Sequence, residues 1–227
     1  RGRAVIDTPP LIGATDDPVT DPAAFARDVL RTPAHEYEVP ALRCSVPNVV
    51  IVGGRRSGKT WTAQVRALHS CMTRAGSRWI VTAPNRDKVR LHLAECAELL
   101  RGVPAAAGSV LDEQRDRITF ANGSELLGLP PTPGQLRGYG RGVLGLTLDE
   151  AGFIASQVWR DAAWTLLENR AQGAQAFLIS TPWGPPDHPL RRAFDLGTGG
   201  DPDHAAFRWP STLNPAVSAE WVEAERE

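Results

Sequence analysis

Lysine is nearly missing from this chain of 227 residues: Lys59 and Lys88 stand against 23 arginines. Whatever replaced lysine by arginine elsewhere did not act at Lys59, where a compact ammonium fits between oxygens that a planar guanidinium would not. Cysteine is also scarce. Cys44, Cys71 and Cys96 are odd in number, isolated and without metal-ligand spacing, which argues against a disulfide scaffold or a zinc site. Buried free thiols in a reducing compartment are the expectation. No apolar run approaches the ~18 residues that mark a membrane-crossing helix. No secretory leader pattern opens the chain. Met72 is the single methionine and the chain starts Arg1-Gly2-Arg3, so a cut amino terminus is expected.

The remaining composition is that of a globular protein, 42% hydrophobic, with room for one domain or one and a half. The net charge of −1 conceals an uneven distribution. Residues 55–101 carry ten basic and three acidic side chains, whereas residues 195–227 carry two and seven. Some of the basic middle belongs to the phosphate-binding turn described next. The rest (Arg66, Arg74, Arg78, Arg86, Lys88, Arg90 and Arg101) is compatible with a nucleic-acid face or with a solvated helix surface.

The most informative stretch is Asn48 to Thr60. Val49-Val50-Ile51-Val52 reads as a strand buried on both faces, and Gly53-Gly54-Arg55-Arg56-Ser57-Gly58-Lys59-Thr60 follows it. The turn matches G-x-x-x-x-G-K-[ST] at Gly53, Gly58, Lys59 and Thr60, and a helix-like run through Trp61, Val65, Leu68 and Met72 comes after. Such a loop wraps backbone N–H groups around a phosphate at the positive end of a helix. Lys59 would reach the β- and γ-phosphates of ATP, and the Thr60 hydroxyl would bind Mg²⁺.

Residues 1–24 read as an extended arm, followed by a short helix from Asp21-Pro22 through Phe25, Val29 and Leu30 that stops before Pro33. His35 to Ser45 is ambiguous, with Tyr37, Val39 and Leu42 available to pack near a nucleotide base. Arg78 to Pro84 is a second buried strand, and Asn85 to Arg101 an amphipathic surface helix. This β-α-β-α order predicts a largely parallel sheet. Asn122-Gly123 between alternating runs is a strong hairpin signal. Residues 130–142 form a loop with three Pro and four Gly, holding Leu136-Arg137-Gly138.

Val143 to Leu148 predicts a third buried strand ending on Asp149-Glu150, the Walker B pattern. Asp149 would hold Mg²⁺ through its water shell, and Glu150 would orient or deprotonate a water. Ser156 to Arg170 reads as a helix and Ala174 to Ile179 as a fourth buried strand, ending in Ser180-Thr181-Pro182 beside the Walker B strand end. An Asp-Glu pair or a Ser-Thr pair also starts ordinary turns. His188 and His204 lie near Asp187, Asp201 and Asp203 without ligand spacing, and surface loop is the expectation there.

Taken in order, these motifs resemble the ATPase domain of viral (tailed bacteriophage) large terminase subunits. The pieces are Gly53 to Thr60, Trp79-Ile80-Val81-Thr82-Ala83-Pro84, Asn122-Gly123-Ser124 and Leu136-Arg137-Gly138, then Asp149-Glu150-Ala151-Gly152-Phe153, Ser180-Thr181-Pro182-Trp183-Gly184 and Asn214-Pro215. The resemblance implies a P-loop NTPase of the RecA-like (ASCE) type, an α/β fold with a mostly parallel sheet and a β-hairpin insertion. It implies an arm at residues 1–47, an ATPase core at 48–190 and a lid or linker at 191–227. A nuclease domain would follow residue 227, so no nuclease activity is expected of this stretch. It further implies ATP and Mg²⁺, self-assembly into a ring, double-stranded DNA, portal and small-subunit partners, no membrane, and the host cytoplasm. Ser180, Thr181 and Pro182 would couple hydrolysis to translocation. Many relatives carry an upstream Gln that reads adenine. Residues 1–48 contain none, leaving Glu38 or backbone groups as substitutes.

Charge building on a transferred phosphoryl group calls for an arginine. Arg55 and Arg56 lie in the phosphate loop, Arg56 being placed next to Ser57 for action in cis; Arg137 sits in a Gly-rich loop suited to reach a neighbouring subunit. A structural or DNA-contacting role for Arg137 stays open. Other readings are a superfamily 2 helicase core, a nucleotide-binding module that hydrolyses nothing, and a small-molecule kinase. The helicase lacks length for a second core, and intact Lys59, Thr60, Asp149 and Glu150 speak against an inert module.

Overall fold

The computed structural model describes residues 15–132, 134–136, 139, 142–182 and 184–224. Eight described strands form one sheet: β1 (Asn48–Gly53), β2 (Arg78–Thr82), β3 (Val110–Gln114), β4 (Arg117–Phe120), β5 (Glu125–Gly128), β6 (Val143–Asp149), β7 (Gln175–Ser180) and β8 (His204–Trp209). Their spatial order is β3-β4-β5-β2-β6-β7-β1-β8. All pairs from β5 to β8 are parallel, and only β3–β4 and β4–β5 run antiparallel. The described helices are α1 (Pro22–Asp28), α2 (Val39–Arg43), α3 (Lys59–Thr73), α4 (Arg86–Arg101), α5 (Pro104–Ala107), α6 (Ser156–Leu167), α7 (Pro189–Thr198) and α8 (Ala219–Ala224). This is the expected α/β architecture.

The β-branched run of β1 is explained by its place between β7 and β8. Val49 and Ile51 join the core with α3 and α4, where Leu68, Leu93 and Phe177 also pack. Val50 faces the other layer, with Leu146, Leu148, Val158, Leu178 and Leu190. A strand covered on both faces favours apolar side chains at successive positions. In β6 the residue beside Trp79 must be Gly145, because a Cβ there would lie 1.9 Å from the indole ring. The same Trp79 donates its Nε1–H to Thr147 Oγ1 at 2.9 Å.

Several sequence expectations are realised with small shifts. Asp21 caps α1 by accepting from the Ala23 N–H at 2.9 Å, and its buried carboxylate pairs with Arg43 at 2.7 Å, tying α1 to α2. The Asn122-Gly123 turn joins β4 to β5, with Arg117 opposite Leu127. Asn122 Nδ2 also donates to the carbonyls of Cys71 and Met72, at 2.9 and 3.2 Å, covering acceptors at the end of α3 that its own helix leaves open. Cys44, Cys71 and Cys96 are all buried free thiols.

The expected hairpin extends the central sheet through β5–β2 pairing, and the exposed, acidic β3 adds one more strand at its edge. Two features differ from expectation. Residues 191–227, expected as lid or linker, supply most of α7 and all of β8, which pairs with β1 over its whole length. Ala205, Phe207 and Trp209 alternate into the core there. The basic middle is not a free cationic face either. Arg66 is buried, bonded to Gln175 and stacked 5.8 Å over Phe177, while Arg78, Arg90 and Arg101 pair with Glu125, Asp116 and Glu113. Arg86 and Lys88 are exposed.

Candidate nucleotide-binding and hydrolysis site

The parallel strands β1, β6 and β7 end on the same edge of the sheet, and the loops that leave them converge there. Gly53 closes β1. Gly58 takes the left-handed conformation (φ 81°) as the residue before α3, which a β-carbon would strain. Lys59 opens α3 and is only 8% exposed, its Nζ donating to the carbonyls of Gly53 at 3.0 Å and Gly54 at 2.6 Å. Ser57 Oγ donates to Gly54 O at 2.9 Å, which folds the loop on itself. Burial pushes the Lys59 ammonium below the usual lysine value, while the carboxylates of Glu150 and Asp149 oppose that shift. An anion at this point would add to the pull of those carboxylates and offset more of the burial penalty.

Asp149 ends β6, and its Oδ1 accepts from the Glu150 backbone N–H at 2.9 Å. Its Oδ2 lies 3.0 Å from His92 Nδ1 on α4. Glu150 adopts φ 48°, a left-handed bend. Its Oε2 accepts from Thr181 N and Thr181 Oγ1, both at 3.3 Å, and from Ser180 Oγ at 3.5 Å. Ser180 Oγ in turn accepts from the Gly152 N–H at 3.2 Å. The two carboxylates therefore diverge, one held by α4 and the other by the segment after β7.

A cavity of about 480 Å³ opens over the loop, lined by Arg56 to Trp61 on one side, Thr32, Pro33, His35 and Glu38 on a second, and Asn214, Ala216 and Val217 on a third. Glu38 is buried beneath it. Its Oε2 accepts from the His35 N–H at 2.8 Å, and its Oε1 would lie 1.9 Å from a Cβ on Gly58. Burial raises the Glu38 carboxyl above its ordinary range. Burial, reinforced by the charge of Glu38, pushes the neighbouring Tyr37 phenol up to about 12. Tyr37 stacks on His35 with ring centroids 5.6 Å apart and meets Trp209 edge-on at 5.4 Å. The end of β8 and the segment after it hold the loop: Gly54 N–H donates to Trp209 O at 2.8 Å, and Asn214 Nδ2 to Arg56 O at 2.6 Å.

The structure thus gathers Gly53, Gly54, Arg55, Arg56, Ser57, Gly58, Lys59 and Thr60 in one loop, and brings Glu150 against Ser180 and Thr181. Arg55 and Arg56 are both exposed. Pro182 follows on the surface. Arg137 lies outside the described residues. Sequence reasoning did not find His92, whose signal is a lone histidine on the buried stripe of a helix, nor Trp209, whose strand went unread. Of the ambiguous stretch 35–45, His35 and Glu38 line the cavity, Tyr37 stacks on His35, and Leu42 packs into the core.

A glycine-rich turn between a buried strand and a helix, opposed by a parallel strand ending in Asp-Glu, belongs to an α/β fold of the RecA-like type. Among solved structures, the chain is similar to the large terminase ATPase domain of Thermus phage P74-26, with TM-score 0.77 and 24% identity over 91% of this chain and 92% of that one. It is also similar to the HK97 bacteriophage large terminase, with TM-score 0.69 and 14% identity over 92% of this chain and 52% of that one. A third is the large terminase of a thermophilic bacteriophage in complex with ATP-gamma-S, with TM-score 0.60 and 14% identity over 96% and 49%. The fold is that of terminase ATPase domains, and the chain spans about half the length of the latter two proteins. No family model matches the chain, and no curated protein matches it in sequence.

Proposed function

We propose that this chain is the ATP-hydrolysing motor domain of a terminase large subunit, driving double-stranded viral DNA into a procapsid. The observation that carries the reading is the Glu150 carboxylate, held between the strand end beside Lys59 and the backbone and hydroxyl of Thr181. In this reading the N–H groups of the loop and the Lys59 ammonium bind the β- and γ-phosphates of ATP. Glu150 orients a water and takes its proton as the oxygen attacks the γ-phosphorus and the bond to the β-phosphate oxygen breaks. Arg56, exposed on the loop, neutralises charge that builds on the transferred group. Asp149 and the Thr60 hydroxyl are hard oxygen donors of the kind that suits Mg²⁺, an ion that takes one or two protein oxygens with water and phosphates and would spread the phosphate charge when bound.

Because Thr181 shares an oxygen of Glu150, loss of the γ-phosphate and movement of the Ser180-Thr181-Pro182 segment are linked, which is how the segment would couple hydrolysis to DNA movement. Ring assembly, the portal and the small subunit belong to the same reading, as does action in the host cytoplasm. Among the described residues no helix is long and apolar enough to cross a membrane.

The test combines ATP turnover, with and without double-stranded DNA, with a procapsid packaging assay using the full-length subunit. DNA-stimulated turnover and ATP-dependent packaging are expected. Turnover that DNA does not affect, with no packaging in a complete motor, would overturn the assignment.

A further inference from the structure

Behind Asp149 stands a histidine that the proposed hydrolysis does not use. His92 is 1% exposed, and its Nδ1 lies 3.0 Å from Asp149 Oδ2. Its other ring nitrogen, Nε2, is buried and has no hydrogen-bond partner among the described residues. The stretch of α4 that carries it is held from α3, where Gln64 Nε2 donates to Glu95 Oε2 at 2.7 Å and reaches the His92 carbonyl at 3.5 Å. The ring is therefore fixed by its helix on one side and by Asp149 on the other.

This arrangement is costly if His92 serves only to fill space. A buried ring nitrogen without a partner forfeits its hydration. A leucine would fill the same layer without that loss. What leucine cannot do is donate to a carboxylate. With Nδ1–H pointing at Oδ2 and the Glu150 N–H at Oδ1, both oxygens of Asp149 have a donor and the carboxylate plane is set from two directions.

Resting on the proposed nucleotide site, we infer that His92 is a positioning residue for Asp149, fixing the carboxylate in the orientation that receives the metal–nucleotide complex. Partners behind a metal-binding carboxylate typically contribute 10- to 100-fold in metal affinity. The geometry also sets which replacement works. An Asn amide projects an N–H to about the place of Nδ1, whereas Gln reaches toward the place of Nε2, away from Asp149.

The experiment measures Mn²⁺ affinity in the presence of ATP by the loss of the free-Mn²⁺ paramagnetic signal, alongside metal-free ATP binding by calorimetry. His92→Leu should weaken Mn²⁺ binding about 10- to 100-fold and leave metal-free ATP binding unchanged, and His92→Asn should restore most of the loss. Unchanged Mn²⁺ affinity in folded His92→Leu would overturn the inference, as would His92→Asn no better than His92→Leu. Should His92→Leu not fold, His92→Asn against His92→Gln decides: tighter Mn²⁺ binding by Asn supports the role, and equality removes it. Asp149→Asn separates the two levels of argument. If that variant also binds Mn²⁺ normally, the proposed site itself fails; if it loses the metal while the His92 variants do not, only the positioning role fails.

Discussion

One oxygen of Glu150 accepts from both the backbone N–H and the hydroxyl of Thr181, each at 3.3 Å. The contact spans the gap between the ends of β6 and β7, and it exists because Glu150 bends left-handed, at φ 48°. A non-glycine residue held there costs of the order of 1–3 kcal/mol, which the surrounding contacts must offset. The bend turns Glu150 away from the direction of Asp149, which in the proposed mechanism separates the group that orients water from the group that holds metal. Glu150→Gln should keep ATP·Mg²⁺ affinity and lower turnover at least ~10²-fold, because the amide still bonds Thr181 but takes no proton. Equal turnover by wild type and variant, measured by phosphate release, would remove Glu150 from the chemistry.

Thr181→Val keeps the shape of the side chain and the backbone N–H but deletes the hydroxyl donor. A hydrogen bond to a charged group contributes ~1.5–3 kcal/mol, so the Glu150 carboxylate loses part of its restraint. Turnover should fall about 10-fold with nucleotide affinity unchanged. If the same contact carries the proposed coupling, DNA packaged per ATP hydrolysed should fall further. A ratio identical to that of wild type would place the coupling elsewhere.

Much of this site could be read from residue order because its chemistry is local. Gly53 to Thr60 is contiguous, and Asp149-Glu150 follows an unbroken apolar strand. The parts that escaped reading are those set by tertiary pairing. His92 is one polar residue on the inner face of α4, and nothing near it in sequence names Asp149 as its partner. The strand β8 has the right alternation in Ala205, Phe207 and Trp209, but the family resemblance implied a lid or linker over 191–227 and the stretch was expected as surface loop around His204. β3 exposes four of its five residues and is a strand only because β4 lies beside it. Arg66 looked like part of a cationic face, yet α3 turns it inward onto Phe177.

Lys59 donates to two carbonyls of its own loop, and a phosphate entering the cavity competes for the same ammonium. Lys59→Ala removes a desolvated cation, so folding should suffer little. Loss of a charge-assisted contact costs ~1.5–3 kcal/mol, and ATP affinity should drop at least about 10-fold and up to about 100-fold or beyond. Calorimetry on a variant with an unaltered melting profile checks this. Wild-type affinity would end the phosphate-loop assignment.

Arg137 tests how complete one subunit is. A transition state that gathers charge on a phosphoryl group gains ~10³–10⁵ in rate from a well-placed arginine. If Arg137 reaches a neighbour's nucleotide, Arg137→Ala subunits, inactive alone, should regain turnover when mixed into rings with Glu150→Gln subunits. Some interfaces then pair an intact arginine with an intact base. A ring shown to be mixed that stays inactive would confine Arg137 to its own subunit or to a structural role, leaving Arg56 as the catalytic arginine.

His69 makes stability depend on pH in a way that can be assigned to one residue. It lies on α3, 8% exposed, with its Nε2 3.0 Å from the Val19 carbonyl and its ring edge-on to Phe25 at 5.3 Å. Burial, then the nearby Arg66 and Arg74 charges, hold it down to about 4, against 6.5 for a free histidine, overriding the opposite pulls of the Val19 carbonyl and Asp21. Above pH 6.5 the ring is neutral in both folded and unfolded chains, and its contribution is fully present. Between 6.5 and 4 the unfolded chain takes up a proton that the folded one refuses, so stability falls as pH falls, approaching ~1.4 kcal/mol per pH unit. Below about 4 both states are protonated and the loss levels off near ~3 kcal/mol. Urea unfolding in steps from pH 7 to pH 4 should show this slope in the wild type and a flatter profile in His69→Leu. Other titrating groups are common to both proteins and cancel in the difference. Parallel profiles would mean that His69 titrates alike in the folded and unfolded chains.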